Sequence, residues 1–281
     1  MRIDSHQHFW RLDRGDYDWI TPEMTAIYRD FLPQDLEAHL DANGIDKSIV
    51  VQAAPTLGDT EFMLGLADRS DRIAGVVGWI DLAGADYRQQ LETFRSHPKF
   101  AGFRVMIQEL ERAEDVLEPA FVEALRYAAA EDVPVDLLLR SGQLPAVLQL
   151  LEQVPGLRGV IDHLAKPEIA SGQWDPWSPQ MVQAASHKNI YCKLSGMVTE
   201  ADARSWKPEQ FVRYVRHIVQ AFGPDRVMFG SDWPVCLLAA SYDQVVDVFA
   251  QALPEELSEA DKANIYGGNA LRFYKLESSV L

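Results

Sequence analysis

The sequence predicts a single α/β domain over residues 1–281, a (β/α)8 barrel of the TIM type, from three observations. Eight short apolar runs recur along the chain, and amphipathic helical patterns lie between them. Dividing 281 residues among eight units gives about 35 each, the size of one βα step. Apolar runs without polar alternation suit strands buried on both faces, as in a parallel sheet. Strands alternating with helices allow a barrel or an open sheet, and the count of eight selects the barrel.

The strands follow in order. Residues 2–4 form a short first run that ends at the polar segment Asp4-Ser5-His6-Gln7-His8. Residues 47–52 (KSIVVQ) and 73–80 (IAGVVGWI) are β-branched. Residues 100–105 (FAGFRV) place Arg104 near a strand end, and 133–139 (VPVDLLL) give the fifth strand. Residues 159–162 (GVID), 190–193 (IYCK) and 226–229 (RVMF) complete the set. Helices are read from periodicity: Phe211, Val215, Ile218, Val219 and Phe222 share one face, as do Val245, Val246, Phe249 and Leu253. Residues 20–31 and 170–179 read as long loops after strands one and six, on the face where barrel enzymes keep their sites.

Composition narrows the partners. The chain is 47% hydrophobic, which excludes disorder, and 26 basic against 42 acidic side chains leave a net charge of -16. Nucleic acid and anionic membrane both need a positive field, so neither is expected, and a small molecule is. Two cysteines, Cys192 and Cys236, make no disulfide framework and read as small buried thiols. The polar start and the lack of a long apolar run point to a cytoplasmic protein. Oligomeric state is left open.

Titratable groups cluster at three strand ends. Residues i and i+2 of an extended chain share a side, so His6 and His8 can both aim into the barrel mouth. Two imidazoles there suit a Zn²⁺-type ion; the plain alternative is a pair of surface histidines. His163, ending strand six before Lys166, reads as a ligand, a carbonyl polariser or a core histidine. Asp232, ending strand eight, reads as a general base for water or as a turn residue before Trp233-Pro234. Residues 266–269 (YGGN) read as a helix end followed by an asparagine cap.

The segments DSHQHFW (4–10), VVGWIDL (76–82), GFR (102–104), DHLAKP (162–167), CKLSGMVTEA (192–201) and MFGSDWPVCLLAASY (228–242) resemble the amidohydrolase superfamily. Within it they resemble the branch of sugar-acid lactonases, those acting on L-fucono-1,5-lactone above all. The resemblance implies hydrolysis of an aldono-1,5-lactone in carbohydrate catabolism such as L-fucose degradation. Asp232 would deprotonate water, while His163, Lys166, Lys193 or a bound cation would hold the oxyanion. Arg104, Trp10, Trp79, Trp233, Lys166 and Ser195 would contact substrate, with Gln52 as a further donor. Strand five offers neither histidine nor lysine. At most one divalent ion such as zinc is therefore implied, on His6, His8, His163 and Asp232, and the branch does not strictly require it. Val105-Met106 follow Arg104 where the fuconolactone-type pattern has a histidine. A carboxylated lactone of the pyrone-dicarboxylate or muconolactone type is the alternative substrate, and a non-catalytic sugar-acid-binding barrel a remoter one.

Overall fold

Each of the eight apolar runs becomes a strand in the computed structural model, which describes residues 1–276. The strands are β1 (Ile3–Gln7), β2 (Lys47–Val51), β3 (Ile73–Gly78), β4 (Phe100–Met106), β5 (Val135–Leu138), β6 (Gly159–Ile161), β7 (Ile190–Leu194) and β8 (Val227–Phe229). They pair in parallel in sequence order, so the expected barrel is the fold. Helices α1 (Pro33–Ala42), α2 (Leu57–Ala67), α3 (Tyr87–Arg95), α4 (Pro119–Ala130), α5 (Leu144–Gln153), α6 (Trp177–Ala185), α7 (Glu209–Phe222) and α8 (Tyr242–Ala252) each follow a strand. Two short helices, α9 (Glu259–Ala263) and α10 (Asn269–Phe273), end the described chain. Among the described residues no helix is long and apolar enough to cross a membrane.

The pleat sorts the core into two layers. Val50 and Val76 face the helices, whereas Ile49, Val51 and Val77 fill a second cluster with Val160 and Met228. Phe273, Tyr274 and Leu276 of the C-terminal segment join that inner cluster. Strand alternation alone assigns these faces.

Two expectations need correction. β1 does not end at residue 4 but runs to Gln7, so His6 lies inside the strand. Its ladder to β2 uses backbone groups and resumes at the Gln7–Val50 pair after a register shift between Asp4 and Gln7, so polar side chains do not end the strand. Residues 266–269 do end one helix, at a kink on Gly267 (φ 176°, ψ -41°), but Asn269 does not cap it. Asn269 instead opens α10 beyond that kink and, buried, donates to the carbonyls of Pro224 (2.7 Å) and Val227 (2.6 Å). That residue pins the C-terminal helices beneath β8.

Closure of the ring occurs at the mouth. Asp232 N donates to His6 O at 2.8 Å and His8 N to Trp233 O at 2.7 Å. Side chains stitch the same seam: Ser5 Oγ donates to Phe229 O at 2.5 Å, and Ser231 N donates to Asp4 Oδ1 at 2.8 Å. Gly230 is required there, because a Cβ would sit 2.7 Å from His6 Cβ. The backbone bonds that close the barrel therefore also place Asp232 beside His6 and His8.

Away from the mouth, Asp132 accepts both Nε (2.7 Å) and Nη2 (2.9 Å) of Arg158 and pairs with Lys275 Nζ at 2.5 Å. The Arg158 hydrogen bond, reinforced by Lys275, holds the Asp132 carboxyl down to about 2. A depressed folded-state pKa stabilises above the unfolded value and is lost as pH falls through the folded one. Half-exposed as the group is, screening limits the effect to about 1 kcal/mol or less. Asp132→Asn should therefore lower the thermal midpoint by about 1–3 °C at pH 7 and converge with wild type between pH 4 and 2. Equal midpoints at pH 7 would show the pair to be energetically silent.

Candidate active site

Strand ends and the turns after them carry the titratable groups into one cavity of about 710 Å³, whose wall includes His8, Arg104, His163, Lys166 and Asp232. The turns are unusual. His163, Leu164, Ala165 and Lys166 form four successive left-handed residues after β6 (φ 52, 55, 58 and 48°), and Asp232 has φ 59°. Non-glycine residues adopt this region at an energetic cost and hold it where surrounding structure demands it. Here it presents His163, Lys166 and Asp232 to the cavity.

At the floor, His6 Nε2 lies 3.2 Å from His8 Nε2 and 3.9 Å from Asp232 Oδ1, and His8 Nε2 lies 3.4 Å from Asp232 Oδ1. Bonds of 2.0–2.1 Å to a tetrahedral zinc would separate neighbouring ligand atoms by about 3.3 Å, so these three atoms fit one divalent ion. His8 Nδ1 lies 2.8 Å from the Val51 carbonyl. Donation to that oxygen leaves Nε2 with its lone pair directed at the triad, the usual arrangement of a metal-ligating histidine. His163 groups instead with His6 and Asp162. Its Nδ1 is 2.9 Å from Ser195 Oγ and its Nε2 is 3.9 Å from Asp232 Oδ1. Gly196 permits that approach, since a Cβ would meet His163 Nδ1 at 2.6 Å.

Electrostatics assigns protonation states. Burial, then the Lys193 charge, drives His6 well below the ordinary imidazole range, and burial does the same for His163. Both rings are therefore neutral. Burial alone would raise Asp232, but His163, the His8 hydrogen bond and Lys166 outweigh it, and its carboxyl lies below the usual value. Asp232 is ionised at neutral pH. Lys166 is lowered by burial and lies 3.9 Å from Glu200, whose carboxyl burial raises.

Below this floor lies a network of charges closed to solvent. Lys193 Nζ contacts Asp136 Oδ2, lies 3.2 Å from Asp162 Oδ1 and lies 3.2 Å from His6 Nδ1. Asp136 also accepts Tyr274 Oη at 2.7 Å, and burial lifts its carboxyl to about 6 against the pull of Lys193. Arg104 Nη1 lies 3.6 Å from Asp162 Oδ2, and Nη2 donates to Gln52 O at 2.5 Å.

Several expected substrate contacts fall elsewhere. Lys193 and Ser195 are buried behind the cavity wall, Lys193 under His6 and Ser195 behind His163. They position other groups. Trp10 is fully buried against Phe31 and Tyr17, and Trp233 is buried against Phe9 and Phe31. Trp79 borders an adjoining side pocket with Leu82, Leu110 and Phe121, which shares Pro55, Arg104, Met106 and Glu109 with the main cavity. Gln52 is buried and meets Arg104 through its carbonyl. Packing competes for aromatic rings wherever a core can hold them, and sequence spacing does not reveal which ring is left over. The tryptophan on the wall is Trp19, which the sequence did not single out. Asp162 and Asp136 were also without assigned roles; Asp162 directly precedes His163, whereas β5, which carries Asp136, holds no candidate residue. Cys192 and Cys236 are free and buried, with thiols raised by that burial.

A family model for amidohydrolases matches residues 3–276. The chain belongs to the amidohydrolase family. Among members of this hydrolytic family, the chain is 40% identical over 99% of its length to an L-fucono-1,5-lactonase of Burkholderia ambifaria, covering 96% of that protein. It is 38% identical over 98% of its length to an L-fucono-1,5-lactonase of Burkholderia multivorans, again covering 96%. A crystal structure of an amidohydrolase from B. multivorans with bound zinc superposes with a TM-score of 0.92 at 37% identity, covering 98% of this chain and 99% of that one.

Proposed function

We propose that this amidohydrolase opens a sugar-acid lactone, of the aldono-1,5-lactone type such as L-fucono-1,5-lactone, to its aldonic acid. The observation that carries this is an ionised Asp232 at the floor of the cavity, within reach of two imidazoles. Support comes from relatives named L-fucono-1,5-lactonase at 38–40% identity.

Asp232 takes a proton from water as the water oxygen attacks the lactone carbonyl carbon. The carbonyl electrons move onto oxygen, where Arg104 and Lys166 are the cations of the cavity wall able to stabilise the oxyanion. Collapse re-forms the carbonyl and breaks the ring C–O bond, and the ring oxygen leaves as a hydroxyl by regaining the Asp232 proton. His163, neutral and held by Ser195, orients the groups around that carboxylate. His6, His8 and Asp232 would hold a divalent ion such as zinc, which when bound supplies Lewis acidity at the carbonyl.

Charge balance bears on the carboxylated-lactone alternative. The wall carries Arg104, Arg140 and Lys166, but also Asp16, Asp18, Glu109 and Asp232. A dicarboxylate needs a surplus of cations, whereas a neutral polyol is matched by donors and acceptors in equal measure. A panel of lactones monitored by a pH indicator tests the assignment. Proton release is expected from aldono-1,5-lactones and not from pyrone dicarboxylates, and no release from any sugar lactone would overturn it. Metal analysis of the same preparation should find no more than one equivalent per chain, because the Lys193 ammonium already occupies the space between His6 and Asp162.

A further inference from the structure

Among the described residues Trp19 is the one exposed tryptophan, at 39%, and it lines the cavity that holds Asp232. Its indole is not loose. Nε1 donates to Ala53 O at 2.8 Å, and the ring stands edge-to-face against Trp10 at 5.6 Å and 82°. Trp10 is itself fixed, fully buried with its Nε1 donating to Arg29 O at 2.8 Å. A large apolar surface held rigidly in contact with water is costly unless something covers it, and a rigid ring loses little entropy on being covered. Asp16 and Asp18, on the same loop and the same wall, offer acceptors for hydroxyl groups beside it.

We propose that Trp19 is the platform on which the ring of the substrate stacks, making the loop after β1 a determinant of substrate affinity. Its partner would be the apolar face of a polyhydroxylated lactone, whose hydroxyls reach the rim carboxylates while the ester faces Asp232. This role rests on the lactone reading above.

The test measures kcat and KM on L-fucono-1,5-lactone for wild type, Trp19→Leu and Trp19→Phe, with thermal midpoints recorded alongside. Trp19→Leu should raise KM about tenfold while kcat falls by much less. Trp19→Phe, which keeps an aromatic face, should stay within about threefold of wild type in KM. A merely structural role would lower the midpoint and the amount of active enzyme without moving KM. An unchanged KM in Trp19→Leu, or a phenylalanine variant as impaired as the leucine one, overturns the platform alone and leaves the lactonase assignment standing. A wild type inactive on every sugar lactone overturns the assignment and the platform together.

Discussion

Asp232→Asn should cost about 10³-fold or more in kcat on a lactone that wild type hydrolyses, the range expected when a positioned base is removed. That is about 4 kcal/mol of barrier. The substitution is unusually clean at this position. Asp232 has φ 59°, and asparagine tolerates the left-handed region as well as aspartate does. Its backbone N–H still bonds His6 O, so the barrel seam is kept. Because its neighbours outweigh the burial cost and hold the carboxyl below its usual value, the Asp232 charge is net stabilising, so the thermal midpoint should fall modestly while the variant stays folded. Full activity in the folded variant would mean that water is activated elsewhere.

Lys193→Met should be the most destabilising single change beneath the site. It leaves Asp136 and Asp162, both fully buried, without their shared cation. Breaking a buried ion pair from one side costs about 3–5 kcal/mol, or roughly 10 °C of thermal midpoint for a domain of this size. The deficit should depend on pH. An acid whose folded-state pKa is raised, as Asp136 already is at about 6, is favoured in its protonated form by folding. It takes stability away as pH rises from the unfolded value through the folded one. Without Lys193 the midpoint should fall between pH 5 and 8 by more than in wild type, which thermal scans across that range would show. A variant within 1 kcal/mol of wild type at pH 8 would mean that the carboxylates are neutral or solvated, and the network described here would be wrong.

The barrel was legible because its signal is local. Each run of apolar residues specifies a strand covered on both faces, and eight of them leave one closed architecture. β1 was cut short for the same reason: its second half is polar because it lines the mouth, and polarity reads as a strand end. The site was legible in part. His6, His8, His163 and Asp232 stand on or directly after strands, and strand ends converge in a barrel whatever the intervening sequence. Lys193 and Ser195 were identified from their motif, but their depth was not, because one strand residue differs from the next by which side of the wall it faces. Trp10, Trp233 and Trp19 show the limit more sharply. All three follow strands on the same face, and only three-dimensional packing decides that two fill the core and one remains on the cavity.

The sequence by itself determined the family, the eight-stranded barrel and the strand ends at which chemistry gathers, since apolar periodicity and residue order encode these directly. Tertiary structure decided what depends on distance between remote segments. It gathered His6, His8 and Asp232 at the floor, set His163 Nε2 3.9 Å from Asp232 and buried Lys193 between two carboxylates. It also set acids against cations around the mouth, so that the -16 surface encloses a cavity with balanced charge rather than a basic one. Coulomb interactions and packing act through space, and chain separation carries no information about them until the barrel closes.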